Sequence, residues 1–148
     1  MISPKIVSDT TKAIENASFL VVDDDRFFRS LIKTTLMQLG GYHIKDASSA
    51  VEALEQLKES TFDVLLLDHE MPGVTGLELA RLIRKGNEGV LDPRIPIIII
   101  TGNTEERTVK EAKLSGVNEY LIKPISPAAL EKRLAKILKT KAAQNAAT

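Results

Sequence analysis

Residues 64–73, VLLLDHEMPG, join an uninterrupted apolar run to two carboxylates, an imidazole and a Pro-Gly turn. Four consecutive aliphatic residues are typical of a strand buried on both faces, as in a parallel sheet covered by helices. Asp68 follows directly at the carboxyl end of that run. Because ligands bind beyond the carboxyl ends of such strands, Asp68 is the first candidate functional residue.

Four other segments predict strands on either side of this one. They are FLVV (19–22), IPIIII (95–100), the weaker NEYLI (118–122), and YHIK (42–45), whose alternation suggests an edge. The helical patterns between them begin at clear signals: capping boxes at 49–52 and 75–78, and a cap followed by proline at 126–127. Strand and helix thus alternate five times, which predicts an α/β domain with a parallel sheet and helices on both faces.

The helix expected at about 104–115 differs from the others. Its polar run offers only Val109, Ala112 and Leu114 to a core. Few buried contacts make an element easy to displace, so this segment is predicted to be mobile.

Composition excludes several classes of function. The 148 residues contain 20 basic and 20 acidic side chains, so no overall positive field favours nucleic acid or a membrane surface. The absence of cysteine excludes disulfides and thiolate chemistry, and two histidines make a zinc site improbable. Without a secretion signal or a long apolar run, the chain is expected to be cytoplasmic.

Polar residues follow four of the predicted strands. Asp23-Asp24-Asp25, Asp68, Thr101 and Lys123 would meet at one edge of the sheet if these strands are adjacent and parallel. Two carboxylates about 4 Å apart repel by roughly 4 kcal/mol at an effective dielectric of 20, so the cluster needs a cation. Oxygen ligands favour Mg²⁺, which in turn favours a phosphoryl group. One carboxylate would then act as the nucleophile and form an aspartyl phosphate.

The segments VVDDD, VLLLDHEMPG, IIIITG and EYLIKP are similar, in order and spacing, to the motifs of the receiver domain of bacterial two-component response regulators, chemotaxis receivers included. This resemblance implies a flavodoxin-like doubly wound (βα)5 fold with a five-stranded parallel sheet of order 2-1-3-4-5. It divides the chain into an N-terminal extension at 1–17, where a short helix is expected, a receiver domain at 18–140 and a flexible tail at 141–148.

By this resemblance, Asp68 is the phosphoacceptor. Asp24, Asp68 and the backbone carbonyl of Glu70 are the implied ligands of Mg²⁺, and Asp23 is expected to act on the ion partly through water. The bland alternative is that acidic residues here only favour a helix N-terminus, and that reading is adopted for Asp25 alone.

The resemblance also implies a switch. Thr101 supplies the switch hydroxyl, Tyr120 the switch aromatic ring, and Lys123 the ammonium that contacts the phosphoryl group, held by a cis peptide before Pro124. Thr101 would move toward the phosphoryl group and Tyr120 would rotate inward, which displaces the helix at 104–115.

Two residues after Asp68 have separate expectations. Glu70 places a negative charge beside the incoming phosphoryl group, where it is predicted to change the lifetime of that group, by pairing with Lys123 or by orienting water. His69 is expected to be a partly exposed loop side chain rather than a metal ligand or a phosphohistidine.

The implied function is a phosphoacceptor that signals and is not an enzyme, although it catalyses its own phosphorylation and dephosphorylation. A histidine kinase or a histidine phosphotransfer protein would donate the phosphoryl group, and a downstream effector protein would bind the switched surface, with dimerisation on phosphorylation as a further expectation. No nucleic acid or membrane is expected as a partner, because the basic last helix has no recognition motif beside it. No output domain is expected within these 148 residues.

Two alternatives stay open. A haloacid-dehalogenase-type phosphohydrolase also forms an aspartyl phosphate, but it needs an aspartate where Glu70 stands, and a cap domain. A pseudo-receiver would bind a partner without phosphorylation, and Glu70 would then imitate the phosphoryl charge.

Overall fold

The computed structural model describes residues 8–102 and 106–146, with the side chains of 8–102 and 108–142. The strands are β1 (Ser18–Val22), β2 (His43–Ala47), β3 (Val64–Asp68), β4 (Ile97–Thr101) and β5 (Glu119–Ile122). The helices are α1 (Asp9–Asn16), α2 (Arg26–Gln38), α3 (Ala50–Glu59), α4 (Gly76–Lys85), α5 (Glu106–Leu114) and α6 (Pro127–Ala146).

All neighbouring strands in the sheet are parallel, and their order is β2-β1-β3-β4-β5. The predicted α/β, flavodoxin-like class and the order 2-1-3-4-5 are confirmed. The chain leaves β1 toward one edge of the sheet and later returns to β3, so the strand order reverses between these two strands. A crevice therefore opens beyond their carboxyl ends, where this type of sheet binds ligands.

The apolar side chains of the sheet form two clusters. One cluster packs under α1, α2 and α6, and the other under α3, α4 and α5. β3 contributes to both, with Leu66 facing one and Leu67 the other, and every residue of the strand is buried. The continuous apolar run in the sequence has this origin, because a central strand must be apolar on both faces.

The two predicted capping boxes have different outcomes. At α4 the box is complete: Thr75 accepts a hydrogen bond from the Glu78 N–H, and the Glu78 carboxylate accepts one from the Thr75 N–H. At α3 only half of it forms, since Ser49 accepts from the Glu52 N–H. The Glu52 carboxylate instead binds Ser48, whose N–H and hydroxyl both donate to one oxygen, at 2.7 and 2.8 Å.

The prediction for the core face of α5 was partly wrong. Ala112 is buried, but Leu114 is 85% exposed. In a helix of 3.6 residues per turn, residues two positions apart in sequence are rotated by about 200°, so Leu114 lies on the opposite face from Ala112. The small apolar face expected for this helix is therefore smaller still.

Both ends of the chain add helix to the sheet domain. α1 lies within the segment where a short helix was expected, and its Ile14 is fully buried in the cluster that contains α6. α6 continues to Ala146, whereas a flexible tail was expected from residue 141. Lys141 explains part of the difference, because its Nζ lies 2.7 Å from Asp63 Oδ1 and ties this turn of helix to the sheet. The division into extension, domain and tail stays a prediction.

Within residues 8–102 and 106–146, no helix has both the length and the apolar character that crossing a membrane requires.

Candidate functional site

The register of the sheet brings the acidic residues together. Val22 of β1 pairs with Leu67 of β3, so the next residues, Asp23 and Asp68, leave the two strands at the same level. Together with Asp24 they present carboxylate oxygens that all lie within 4.8 Å of one another. Asp23 and Asp68 are 0% and 2% exposed, and Asp24 is exposed.

Lys123 enters the same crevice from β5. Thr101 of β4 pairs with Ile122, and Lys123 follows at the end of the strand before a cis peptide bond to Pro124. The lysine Nζ lies 2.9 Å from Asp68 Oδ1 and 3.8 Å from Asp23 Oδ2. The site thus contains three carboxylates and one ammonium, which leaves an excess of negative charge.

Burial dominates the electrostatics of Asp68. Removal from water, together with the neighbouring charges of Asp23 and Glu70, raises the pKa of Asp68 to about 7 against the opposing hydrogen bond and charge of Lys123. Burial also raises the pKa of Asp23. Without a cation, the two inward carboxyl groups therefore keep their protons to a higher pH than an exposed aspartate does.

The lysine responds in the opposite direction. Burial alone would lower the pKa of Lys123, but its hydrogen bond and charge contact with Asp68 outweigh burial and raise the pKa. The ammonium is therefore charged at neutral pH and can neutralise anionic oxygens that enter the crevice.

One buried carboxylate oxygen has a charged neighbour, Lys123, but no hydrogen-bond donor. Asp23 Oδ2 is inaccessible to solvent and has no hydrogen-bond donor. An unsatisfied buried carboxylate oxygen is costly, whereas a divalent cation would satisfy it together with Asp24 and Asp68. An all-oxygen set of this charge fits a hard ion such as Mg²⁺.

Glu70 lies beside the predicted switch residues. Its carboxylate accepts a hydrogen bond from the Thr101 hydroxyl. Burial raises the pKa of Glu70, but this bond and the further hydrogen bonds from the Glu70 backbone and Asp68 together outweigh burial and lower it. Tyr120 is half-buried against the apolar cluster and also bonds to Thr101; burial, followed by the charge of Glu70, raises its pKa. Pairing with Lys123 was one of two roles expected of Glu70, beside the orientation of water; in the structure Glu70 is hydrogen-bonded to Thr101, while Lys123 lies against Asp68 and Asp23.

Asp25 and His69 lie outside the acidic cluster. Asp25 caps α2 by accepting hydrogen bonds from the N–H groups of Phe27 and Phe28 at 2.8 and 3.2 Å, as the sequence suggested. His69 is half-buried, and its backbone carbonyl accepts from the N–H groups of Met71 and Gly76, each at 3.0 Å. The backbone of His69 therefore shapes the loop that follows β3.

Sequence reasoning missed two residues that support the site. Gly76 begins α4 against the end of β3, and a Cβ there would stand 2.3 Å from the carbonyl oxygen of Asp68. Helical spacing with Ile32 and Leu36 predicts that Phe28 belongs to the apolar stripe of α2. In the structure its ring lies under the ammonium of Lys123, with 4.4 Å between Nζ and the ring centroid. For Gly76, the only signal in the sequence was a glycine inside a capping box. For Phe28, the helical spacing indicated a core residue and gave no sign of the contact with Lys123.

Comparison with known proteins agrees with this arrangement. The sequence profile of the family described as the response regulator receiver domain matches residues 19–135. Chemotaxis protein CheY-3 of Vibrio cholerae is 34% identical over 123 residues, which cover 83% of this chain and 92% of the relative.

Solved structures share the fold as well. A Francisella response regulator receiver domain has a TM-score of 0.76 at 30% identity, covering 85% of this chain and 99% of that one. The receiver domain of sensor histidine kinase PA1611 from Pseudomonas aeruginosa, which has a magnesium ion coordinated in its active site cleft, has a TM-score of 0.72 at 27% identity, covering 83% and 98%. With most of its length matched by the profile and by these relatives, the chain belongs to the response regulator receiver domain family of two-component signalling.

Proposed function

We propose that this receiver accepts a phosphoryl group on Asp68 with the help of Mg²⁺ and thereby changes the surface that it offers to a partner. The observation that carries this proposal is the contact between Lys123 and the two inward carboxylates, at 2.9 Å from Asp68 and 3.8 Å from Asp23. The buried Oδ2 of Asp23, which has no hydrogen-bond donor, supports the proposal because a divalent cation would satisfy it.

The chemistry of transfer follows from the charges. A carboxylate oxygen of Asp68 attacks the phosphorus of a phosphohistidine, the P–N bond breaks, and its electron pair returns to the imidazole. Mg²⁺, bound by Asp24, Asp68 and the backbone carbonyl of Glu70 and reached by Asp23 partly through water, would draw negative charge from the phosphoryl oxygens. Lys123 then donates hydrogen bonds to those oxygens in place of the Asp68 oxygen that it contacts here.

The switch uses the Thr101 hydroxyl. In the unphosphorylated protein this hydroxyl is committed to Glu70. A phosphoryl group on Asp68 would compete for it, and Tyr120, which also bonds to Thr101, would reorient with it. α5 lies between Thr101 and Tyr120 in the chain. Among residues 108–114 its buried side chains are Thr108 and Ala112, so its displacement costs little packing energy.

Receiver domains act between histidine kinases and effectors, which sets the partners that we propose. The phosphodonor is a histidine kinase or a histidine phosphotransfer protein, and the switched surface binds an effector protein, with dimerisation on phosphorylation as a further proposal. A cytoplasmic location and the absence of nucleic acid as a partner stay predictions. Arg133 and Lys136 of the basic last helix contact Glu119, each at 3.6 Å.

The test is phosphorylation by a small donor. Incubation with acetyl phosphate and Mg²⁺ is expected to add one phosphoryl mass to the intact protein, and Asp68→Asn is expected to remove the adduct, because asparagine supplies no carboxylate nucleophile. Intact mass spectrometry with and without chelator measures both. An adduct that persists on the variant would move the acceptor elsewhere, and continuous turnover of varied phosphate esters would support the phosphohydrolase.

Glu70 provides a second prediction. Glu70→Gln preserves the size of the side chain and an oxygen that accepts from Thr101, but removes one negative charge beside the acceptor. We expect a several-fold faster formation of the adduct from anionic acetyl phosphate and a changed half-life of the adduct, both measured by mass spectrometry over time. Formation and decay at the wild-type rates would contradict the modulating role of this charge.

A further inference from the structure

We propose that Phe28 is a positioning residue for Lys123, whose ammonium its ring face holds beside the carboxylate of Asp68. The Nζ atom lies 4.4 Å from the ring centroid, well within the distance at which an aromatic face attracts a cation. This inference rests on the proposed acceptance of a phosphoryl group at Asp68.

Three contacts of the lysine ammonium with the described residues differ in kind. Asp68 Oδ1 at 2.9 Å accepts a hydrogen bond, Asp23 Oδ2 at 3.8 Å supplies charge, and the ring of Phe28 supplies a neutral face. The ring attracts the cation through its quadrupole and excludes water from that side, without adding another negative charge. Of the three contacts, it is the one that carries no net negative charge to repel an incoming anion.

Phosphoryl transfer changes how strongly each of these groups attracts the ammonium. Once Mg²⁺ shares the oxygens of Asp23 and Asp68, those carboxylates attract the ammonium less, and Asp68 becomes bonded to phosphorus. The ammonium must then turn toward the phosphoryl oxygens while it stays in the crevice. Because the ring of Phe28 takes no part in the reaction, it alone among the three contacts can hold the ammonium throughout.

The position of the ring is itself fixed by the start of α2. Asp25 accepts hydrogen bonds from the N–H groups of Phe27 and Phe28, which anchors the first turn of the helix beside Asp23 and Asp24. The ring of Phe27 meets that of Phe28 edge to face, with 5.7 Å between centroids and 78° between planes. The cap therefore sets the position from which Phe28 turns one ring face toward Lys123.

A spectroscopic test detects the contact directly. Protons held over the face of an aromatic ring resonate upfield, so the ε-CH₂ protons of Lys123 are expected upfield of ordinary lysines in the wild type and in Phe28→Tyr. In Phe28→Leu they are expected at the ordinary position. The resonance is assigned by its disappearance in Lys123→Arg.

A kinetic test measures the consequence. At subsaturating acetyl phosphate and saturating Mg²⁺, Phe28→Leu is expected to slow adduct formation roughly 3- to 10-fold, the range for a partly desolvated cation–π contact, and Phe28→Tyr to restore it to within about 2-fold. Phe27→Leu is the matched control, because Phe27 is 71% exposed and its ring contacts the ring of Phe28 rather than Lys123. It should leave both the resonance and the rate close to wild type.

Two results would overturn the inference: Lys123 resonances that are the same in Phe28→Leu and wild type, or a Phe28→Tyr variant as slow as Phe28→Leu. If Phe28→Leu does not fold, Phe28→Met replaces it with the same readouts. A wild type that accepts no phosphoryl group would refute the proposed function, while the resonance would still report the ring contact.

Discussion

Replacing Asp68 with asparagine is expected to stabilise the metal-free protein at pH 8 and to change its stability far less at pH 4. Burial raises the pKa of Asp68 from 3.8 to about 7, so the folded state binds a proton that the unfolded chain releases in this range. The stability linked to this group is therefore present below about pH 4 and is lost as pH rises through 7.

The size of this effect follows from the shift. A rise of the pKa from 3.8 to about 7 corresponds to roughly 4 kcal/mol in the free energy of unfolding. Asp68→Asn also removes the closest partner of Lys123, which reduces the benefit, so we expect the variant to gain about 2–4 kcal/mol at pH 8. Urea unfolding in chelator at the two pH values measures the free energy of unfolding. Saturating Mg²⁺ should remove much of the advantage, because the ion stabilises only the wild-type set of three carboxylates.

Asp63→Asn is the control with the opposite sign. The hydrogen bonds from Lys141 and Ser18 outweigh burial and lower the pKa of Asp63, so its contribution is present above about pH 4 and is lost as pH falls. This variant should be less stable than wild type at pH 8. If Asp68→Asn also proved less stable there, the acceptor would not be held at a raised pKa.

Replacing Asp24 with asparagine is expected to weaken Mg²⁺ binding at least about 10-fold, which corresponds to roughly 1.4 kcal/mol. Asp24 supplies one of the three carboxylate oxygens that lie within 4.8 Å of one another. Because it is exposed, its loss should not disturb the core. Isothermal titration calorimetry with MgCl₂ at pH 8, where Asp68 is largely ionised, measures the dissociation constant.

Asp25→Asn is the matched control for the Mg²⁺-binding measurement on Asp24→Asn. Asp25 is adjacent in sequence, but its carboxylate is committed to the first N–H groups of α2, and asparagine caps a helix about as well. The affinity of the Asp25→Asn variant for Mg²⁺ should stay within about 3-fold of wild type. Equal losses in both variants would show that general negative charge, rather than ligation by Asp24, holds the ion.

The fold was predictable because each strand and helix carries a local signal. VLLLD must be buried on both faces, and the Thr75 box begins α4 where the sequence places it. The acidic cluster was predictable for the same reason, since the carboxyl ends of parallel strands lie at one edge of the sheet. Asp23, Asp24, Asp68 and Lys123 all lie there.

Contacts between distant elements were harder to predict. Helical spacing assigns Phe28 and Leu114 to a core face but does not say which element covers that face. The structure places Phe28 under a lysine from β5 and leaves Leu114 in solvent. The partner of Glu70 depends likewise on how the loop after β3 meets β4, which no local pattern records.

The pairing of Val22 with Leu67 has a consequence for how this fold tolerates change. Ladder hydrogen bonds between backbones set the separation of the reactive acids, so insertions in the connections far from the crevice leave that separation intact. A slip of β1 by a single residue, in contrast, would turn Asp23 away from the crevice and present its neighbour. Chains sharing only 30% of their residues can therefore superpose with a TM-score of 0.76, provided that the strands keep their alignment.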